Sequence, residues 1–258
     1  MSKVALLPLA FLGGAGYVAK KIYDHEKRPL CTGSKSIPAE EKAHPSYEAV
    51  VDNYVYVHNA FRNDLTRIIA KCASNTFVQK DLEDWAEILE VHSRFEDEVI
   101  IAALQARLKE SQQSAKLPAE LVDGKDHDIV KELLSKALKC MDNEERITIL
   151  KKMSAEFEEH LAREEAAMVP LLLRNFTERE LWAIDSFIVN PKLDYCDKDT
   201  LIKITFWWFG NIRLSEGWPL MKNFIKSGNQ KPMPIEEWKK IQDMIPALQK
   251  FPTSDLVP

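Results

Sequence analysis

The sequence predicts an all-α protein, an up-and-down four-helix bundle with additional helices packed C-terminally. Three observations lead there. Glycine is scarce, at 8 of 258 residues, and three of the eight fall within the first sixteen positions, so the rest of the chain is poor in the residue that most readily makes turns. Apolar residues through the middle of the chain recur at i, i+3, i+4 and i+7, the spacing of one helix face. Four histidines, His58, His92, His127 and His160, follow one another at intervals of 34, 35 and 33 residues. Each interval matches one helix plus its return connection.

Bulk properties bound the remaining choices. A chain of 258 residues is long for one domain, but a four-helix core with extra helices absorbs it. The net charge of −5 provides no broad basic surface, which argues against nucleic acid as a partner. Cys31, Cys72, Cys140 and Cys196 are scattered, with no C-x-x-C pair. They read as reduced, semi-buried thiols, which fits a reducing compartment. The chain divides into a hydrophobic N-terminal segment and linker (1–44), the bundle (45–175) and a C-terminal helical extension packed on it (176–258).

Residues 4–19 carry no charge, with Lys3 before them and Lys20 and Lys21 after. Sixteen residues fall short of the roughly 20 that span a bilayer. A cleaved signal peptide wants a more basic start than Lys3, and a mitochondrial presequence wants arginines. In a short signal-anchor, Lys20, Lys21, Lys27 and Arg28 hold the C-terminal side in the cytoplasm. The expected location is therefore cytoplasmic or membrane-associated facing the cytoplasm, with membrane attachment through 4–19 and the mitochondrion as the alternative. Residues 29–45, with proline, glycine and serine, read as a linker.

The four helices follow in order, each with its histidine in the apolar phase. Around His58 the stripe is Val51, Tyr54, Val55, Phe61, Leu65, Ile68 and Ile69; around His92 it is Trp85, Ile88, Leu89, Phe95, Val99 and Ala103. His127 precedes Val130, Leu133, Leu134, Ala137, Leu138 and Met141; His160 lies among Leu150, Met153, Phe157, Ala167, Met168 and Leu171. His58 stands about 17 residues from a turn near Ala73–Phe77, and the return to His92 is about as long; about 15 residues lead from His127 to a turn near Met141–Asn143, and about 17 lead on to His160. At a rise of about 1.5 Å per residue, each hairpin sets its two histidines level within a turn. Between the hairpins, Ser111–Lys125 contains Pro118 and Gly124 and reads as a long connection.

Two of the histidines carry a glutamate one turn on, in His92-Ser-Arg-Phe-Glu96 and His160-Leu-Ala-Arg-Glu164. Positions i and i+4 share a helix face, so each pair aims a nitrogen and a carboxylate at one point. Asp97 and Glu165 stand at i+5, turned about 140° from their histidines against about 40° for i+4, which favours Glu96 and Glu164. Taken singly, a histidine on an apolar stripe is ordinarily a core residue bonded to a neighbour. Four imidazoles and two carboxylates in one core are different, because burying each without a partner costs on the order of several kcal/mol. A pair of metal ions compensates all of them, and nitrogen-plus-carboxylate donors suit iron or manganese, admit zinc and suit copper less. His25 and His44, in or beside the linker, are assigned no role.

The order H … H-x-x-x-E … H … H-x-x-x-E resembles the hemerythrin-like (HHE cation-binding) family, as do the strings DHDIVKELL and EEHLAREEAAMVPLLLRNFTERE. The resemblance covers roughly Pro45 to Asn190. It implies that His58, His92, Glu96, His127, His160 and Glu164 ligate two non-haem iron ions, with both glutamates able to bridge them. Two ferrous ions, two glutamates and a bridging hydroxide would leave the site nearly neutral, which burial favours. The oxygen-carrying members have a fifth histidine one turn after the third-helix ligand, where this chain has Lys131. That departure weakens dioxygen transport. It leaves sensing of dioxygen, nitric oxide or peroxide, iron handling, or slow redox chemistry.

Beyond the bundle, Thr177-Glu-Arg-Glu180 is a capping box with Phe176 as its hydrophobic staple, so a helix begins there and ends at Asn190-Pro191. Phe206-Trp207-Trp208-Phe209 reads as an aromatic wedge against the open end of the bundle in preference to an exposed binding surface. A shorter helix surrounds Trp238, Ile241 and Ile245. No nucleophile triad, phosphate-binding glycine loop or redox cysteine pair is visible, so a non-enzymatic role is favoured over catalysis. The expected function is that of a di-iron protein binding or reacting with a small oxidising ligand such as O2, NO or peroxide, or handling iron. The alternatives are a metal-regulated interaction module, in which iron stabilises the bundle and exposes or hides the Trp-rich C-terminal region, and a helical scaffold without metal.

Overall fold

The computed structural model describes residues 37–111, 117–122, 125–190, 192–193, 195–228 and 232–257. The apolar segment 4–19, His25, Cys31 and the first part of the linker lie outside them. Among the described residues there is no strand, and no helix is long and apolar enough to cross a membrane.

Helices α1 (Ala39–Lys42) and α2 (Tyr47–Val51) precede a π-helical segment, Asp52–Tyr56, which runs directly into α3 (Val57–Ala73). Helix α4 (Gln79–Phe95) continues through a second π segment, Glu96–Ile101, into α5 (Ala102–Glu110). The short α6 (Ala119–Val122) leads to α7 (Lys125–Lys139) and then to α8 (Asn143–Asn175). The remainder comprises α9 (Glu178–Ser186), α10 (Lys198–Asn211), α11 (Leu214–Gly228), α12 (Ile235–Met244) and α13 (Thr253–Leu256).

Local chemistry sets these boundaries. Helix α3 stops at a Schellman turn, in which the Thr76 N–H donates to the Lys71 carbonyl and the Asn75 N–H to that of Cys72. Asn75 takes the left-handed conformation the motif needs, φ 56°, a region asparagine tolerates. Helix α8 starts where the Asp142 carboxylate accepts the Glu145 N–H. The predicted capping box at Thr177 and Glu180 is present in both directions, and Phe176 and Leu181 are buried in one apolar cluster, as a staple requires.

Helix α3 packs on α4 and α8, and α7 packs on the same two, so the four elements close a ring. The predicted apolar stripes face inward, with one exception. Met141 is 93% exposed, because α7 has already ended at Lys139 and the helical phase no longer governs it. Leu82, Trp85, Leu65, Ile68, Leu150, Met153 and Phe157 belong to one apolar cluster. Tyr54, Phe95, Val99, Met168, Leu172 and residues from α9, α12 and α13 belong to another. The histidines occupy the polar layer between the two: His58 follows Tyr54 and precedes Phe61, while His92 lies between Leu89 and Phe95.

Two readings from sequence change here. The described part of the linker is packed, with Ile37 buried, and buried Glu41 of α1 pairs with Arg174 of α8. The aromatic run lies on the flank of α3, not at an end of the ring. Trp207 donates to Asp64 at 2.6 Å and its ring lies tilted against that of Phe61, centroids 4.6 Å apart, while the Asn63 amide donates to the Asn211 carbonyl. Phe206, in the same run, faces outward.

Candidate metal centre

All six residues singled out from sequence arrive at one place, in two groups: His58, His92 and Glu96, and His127, His160 and Glu164. Within each group the donor atoms lie within 4.8 Å of one another. The i,i+4 pairs give His92 Nε2 to Glu96 Oε2 at 3.3 Å and His160 Nε2 to Glu164 Oε1 at 3.3 Å. Helix α3 brings His58 Nε2 to 3.8 Å from Glu96 and 3.6 Å from Glu164, and α7 brings His127 Nε2 to 4.0 Å from Glu164. The Glu164 carboxylate thus reaches histidines of both groups, whereas the close histidine contacts of Glu96 are His58 and His92.

The two acids rejected as ligands have a different position. Glu165 is fully buried and places Oε1 3.1 Å from His58 Nδ1 while accepting from Arg62 Nη1 at 2.8 Å. Asp97, half exposed, lies 3.5 Å from His127 Nδ1. The arrangement repeats: the acid after each in-site glutamate faces the Nδ1 of a histidine on another helix, leaving that imidazole's Nε2 for the site. A carboxylate behind a metal-binding histidine fixes its tautomer and ring orientation. Lys131, one turn after His127, pairs with Glu90 at 3.2 Å near the surface. His44 accepts the Ser46 N–H at 3.2 Å, away from this cluster.

Electrostatics show how poorly these groups stand alone. Burial pushes Glu96 up, with the neighbouring Glu164 adding to the effect. Burial also opposes ionisation of Glu164, but His160, His58 and His127 outweigh it and hold that carboxyl below its usual range. Burial lowers His58, yet Glu165 and Glu96 overturn it and hold the imidazole up at about 9; His127, with Asp97 and both glutamates, also reaches about 9. His92 is driven well below 6.5 by burial and by His58.

The residues fit a metal pair. His58 Nε2, His92 Nε2, both oxygens of Glu96 and Oε2 of Glu164 are buried with no hydrogen-bond partner among the described residues. Orphaned buried donors and acceptors each cost about 1–3 kcal/mol, and more when charged. Two ligands about 2.1 Å from one ion at about 90–110° stand about 3.0–3.4 Å apart, which brackets the 3.3 Å of both His–Glu pairs.

The sequence signal for Glu165 and Asp97 was their place beside the chosen glutamates; what they face was not visible from one helix. Comparison of the chain with models of known families, with curated proteins and with solved structures gives no match.

Proposed function

We propose that the ring of α3, α4 with its π segment, α7 and α8 is an up-and-down four-helix bundle of the hemerythrin-like kind, holding two non-haem iron ions that bind or react with a small oxidising ligand. The observation that carries this reading is the pair of His-His-Glu groups side by side in the core, with His58 Nε2, His92 Nε2, both Glu96 oxygens and Glu164 Oε2 buried and without a hydrogen-bond partner among the described residues. His58, His92 and Glu96 would hold one ion and His127, His160 and Glu164 the other, with Glu164 placed to serve both. Iron there supplies one-electron redox steps and a coordination position open to a small molecule.

The chain's own residues do the rest. Glu165 holds the Nδ1 side of His58 at hydrogen-bond distance and Asp97 stands 3.5 Å from that of His127, an arrangement that leaves both Nε2 atoms toward the site. Phe61 lies 5.2 Å from the His92 ring and Phe157 6.2 Å from that of His160, and with Trp85 they wall one side against water. A dry wall strengthens every charge interaction inside the site.

Metal content per chain, with an absorption spectrum, on protein purified without added chelator tests the reading. The expected result is about two irons and near-ultraviolet bands that change when oxidant is added. A folded, helical protein with no metal would refute it.

A further inference from the structure

Tyr54 lies one turn before His58, and its ring meets the His58 ring edge-on at 5.7 Å. The residue is 1% exposed, and its hydroxyl has no hydrogen-bond partner among the described residues. A buried phenol ordinarily finds a partner. Burial pushes its phenol well up, and the carboxylates of Glu96, Glu164 and Asp185 add to that. Its backbone adds a second indication. Tyr54 sits in the π segment Asp52–Tyr56, and the other π segment begins at Glu96, so both interruptions of α-helical geometry adjoin the site. Such π-bulges are uncommon and concentrate at functional sites.

We propose that Tyr54 is a ligand-binding residue of this centre, its hydroxyl donating a hydrogen bond to a small anion held at the two His-His-Glu groups. This rests on the metal reading above. A phenol suits the task, because it donates without adding charge and stands on a rigid ring walled by apolar neighbours.

The test is Tyr54→Phe in the full chain, loaded with iron and titrated with azide as the small-anion probe. The variant should keep the same metal content and bind azide about tenfold or more weakly, the size of one lost hydrogen bond to a charged partner. Equal azide affinity at full metal content overturns the proposal while leaving the metal centre standing. Loss of metal from the variant alone also overturns it, since the phenol would then be a ligand of the metal. Absence of metal from both proteins overturns both readings. In metal-free protein, deleting an unpartnered hydroxyl should leave Tm unchanged or raise it. A fall of about 4 °C or more would reveal a structural partner and count against the proposal.

Discussion

Replacing Glu165 with Gln separates orientation of the proposed metal centre from its charge balance. Glu165 is fully buried and its Oε1 serves two groups, His58 Nδ1 at 3.1 Å and Arg62 Nη1 at 2.8 Å. Glutamine keeps the shape and removes the charge that favours the Nδ1–H tautomer of His58. Loss of such an outer partner typically costs about 10–100-fold in metal affinity, or about 1.4–2.7 kcal/mol. Arg62 keeps Glu158 at 2.6 Å, but that carboxylate is 42% exposed. The fold should therefore lose less than the roughly 3–5 kcal/mol that follows breaking a fully buried pair. Competition against a chromophoric chelator measures the affinity, and thermal melting of the metal-free proteins measures the stability. Adding Arg62→Met to Glu165→Gln removes the stranded cation. The double variant should recover stability and still bind metal weakly. Affinity in Glu165→Gln within about twofold of the parent, or full recovery of affinity in the double variant, would show that Glu165 does not act by orienting His58.

Two further outcomes follow from the same geometry. His92→Ala should lose most of the bound metal, because Phe61, which lies against that ring, has no donor atom to substitute; normal metal content by elemental analysis would sink the ligand assignment. With the metal stripped, His58 and His127 stand at about 9 in the folded protein against about 6.5 unfolded. A raised imidazole contributes stability that is fully present below about pH 6.5 and disappears as pH passes about 9. Metal-free protein should thus lose several kcal/mol, and Tm, between about pH 7 and 9.5. Metal affinity should rise over the same interval, because loading must expel both protons. A flat Tm across that range, or affinity independent of pH, would contradict these assignments.

How much of this was legible in the chain depends on which helix a residue answers to. His92 and Glu96, or His160 and Glu164, lie four apart on one helix, and the rule that brings them together is the helical period itself, so they could be paired before any tertiary structure was known. His58 and His127 bring no glutamate of their own, yet the even spacing of the four histidines set them at matching depth. The period also turns Asp97 and Glu165 away from their own helix's histidine. It could not say that this direction ends at an imidazole on a neighbouring helix, because that is a property of the ring of four. Asn59, Asn63 and Asp64 show the same limit. Nothing on α3 alone marks these polar residues for burial, and they are buried where α10 and α11 dock through Trp207, Asn211 and Glu216. The π segments had no periodic signal, since the apolar stripe through Val51, Tyr54 and Val55 continues across the first of them.

Phe61 touches the His92 ring on one side and Trp207 on the other, while the Trp207 indole donates to buried Asp64 on α3. A shift of His92 by even a few tenths of an ångström must therefore be taken up by Phe61 and Trp207, because close-packed rings transmit displacement and do not absorb it. That short path joins the centre to the outer helices and gives the alternative of metal-regulated interaction its physical route. If it operates, Trp207 fluorescence should follow metal loading in the parent and cease to follow it in Phe61→Leu. Fluorescence indifferent to metal in the parent would close that route.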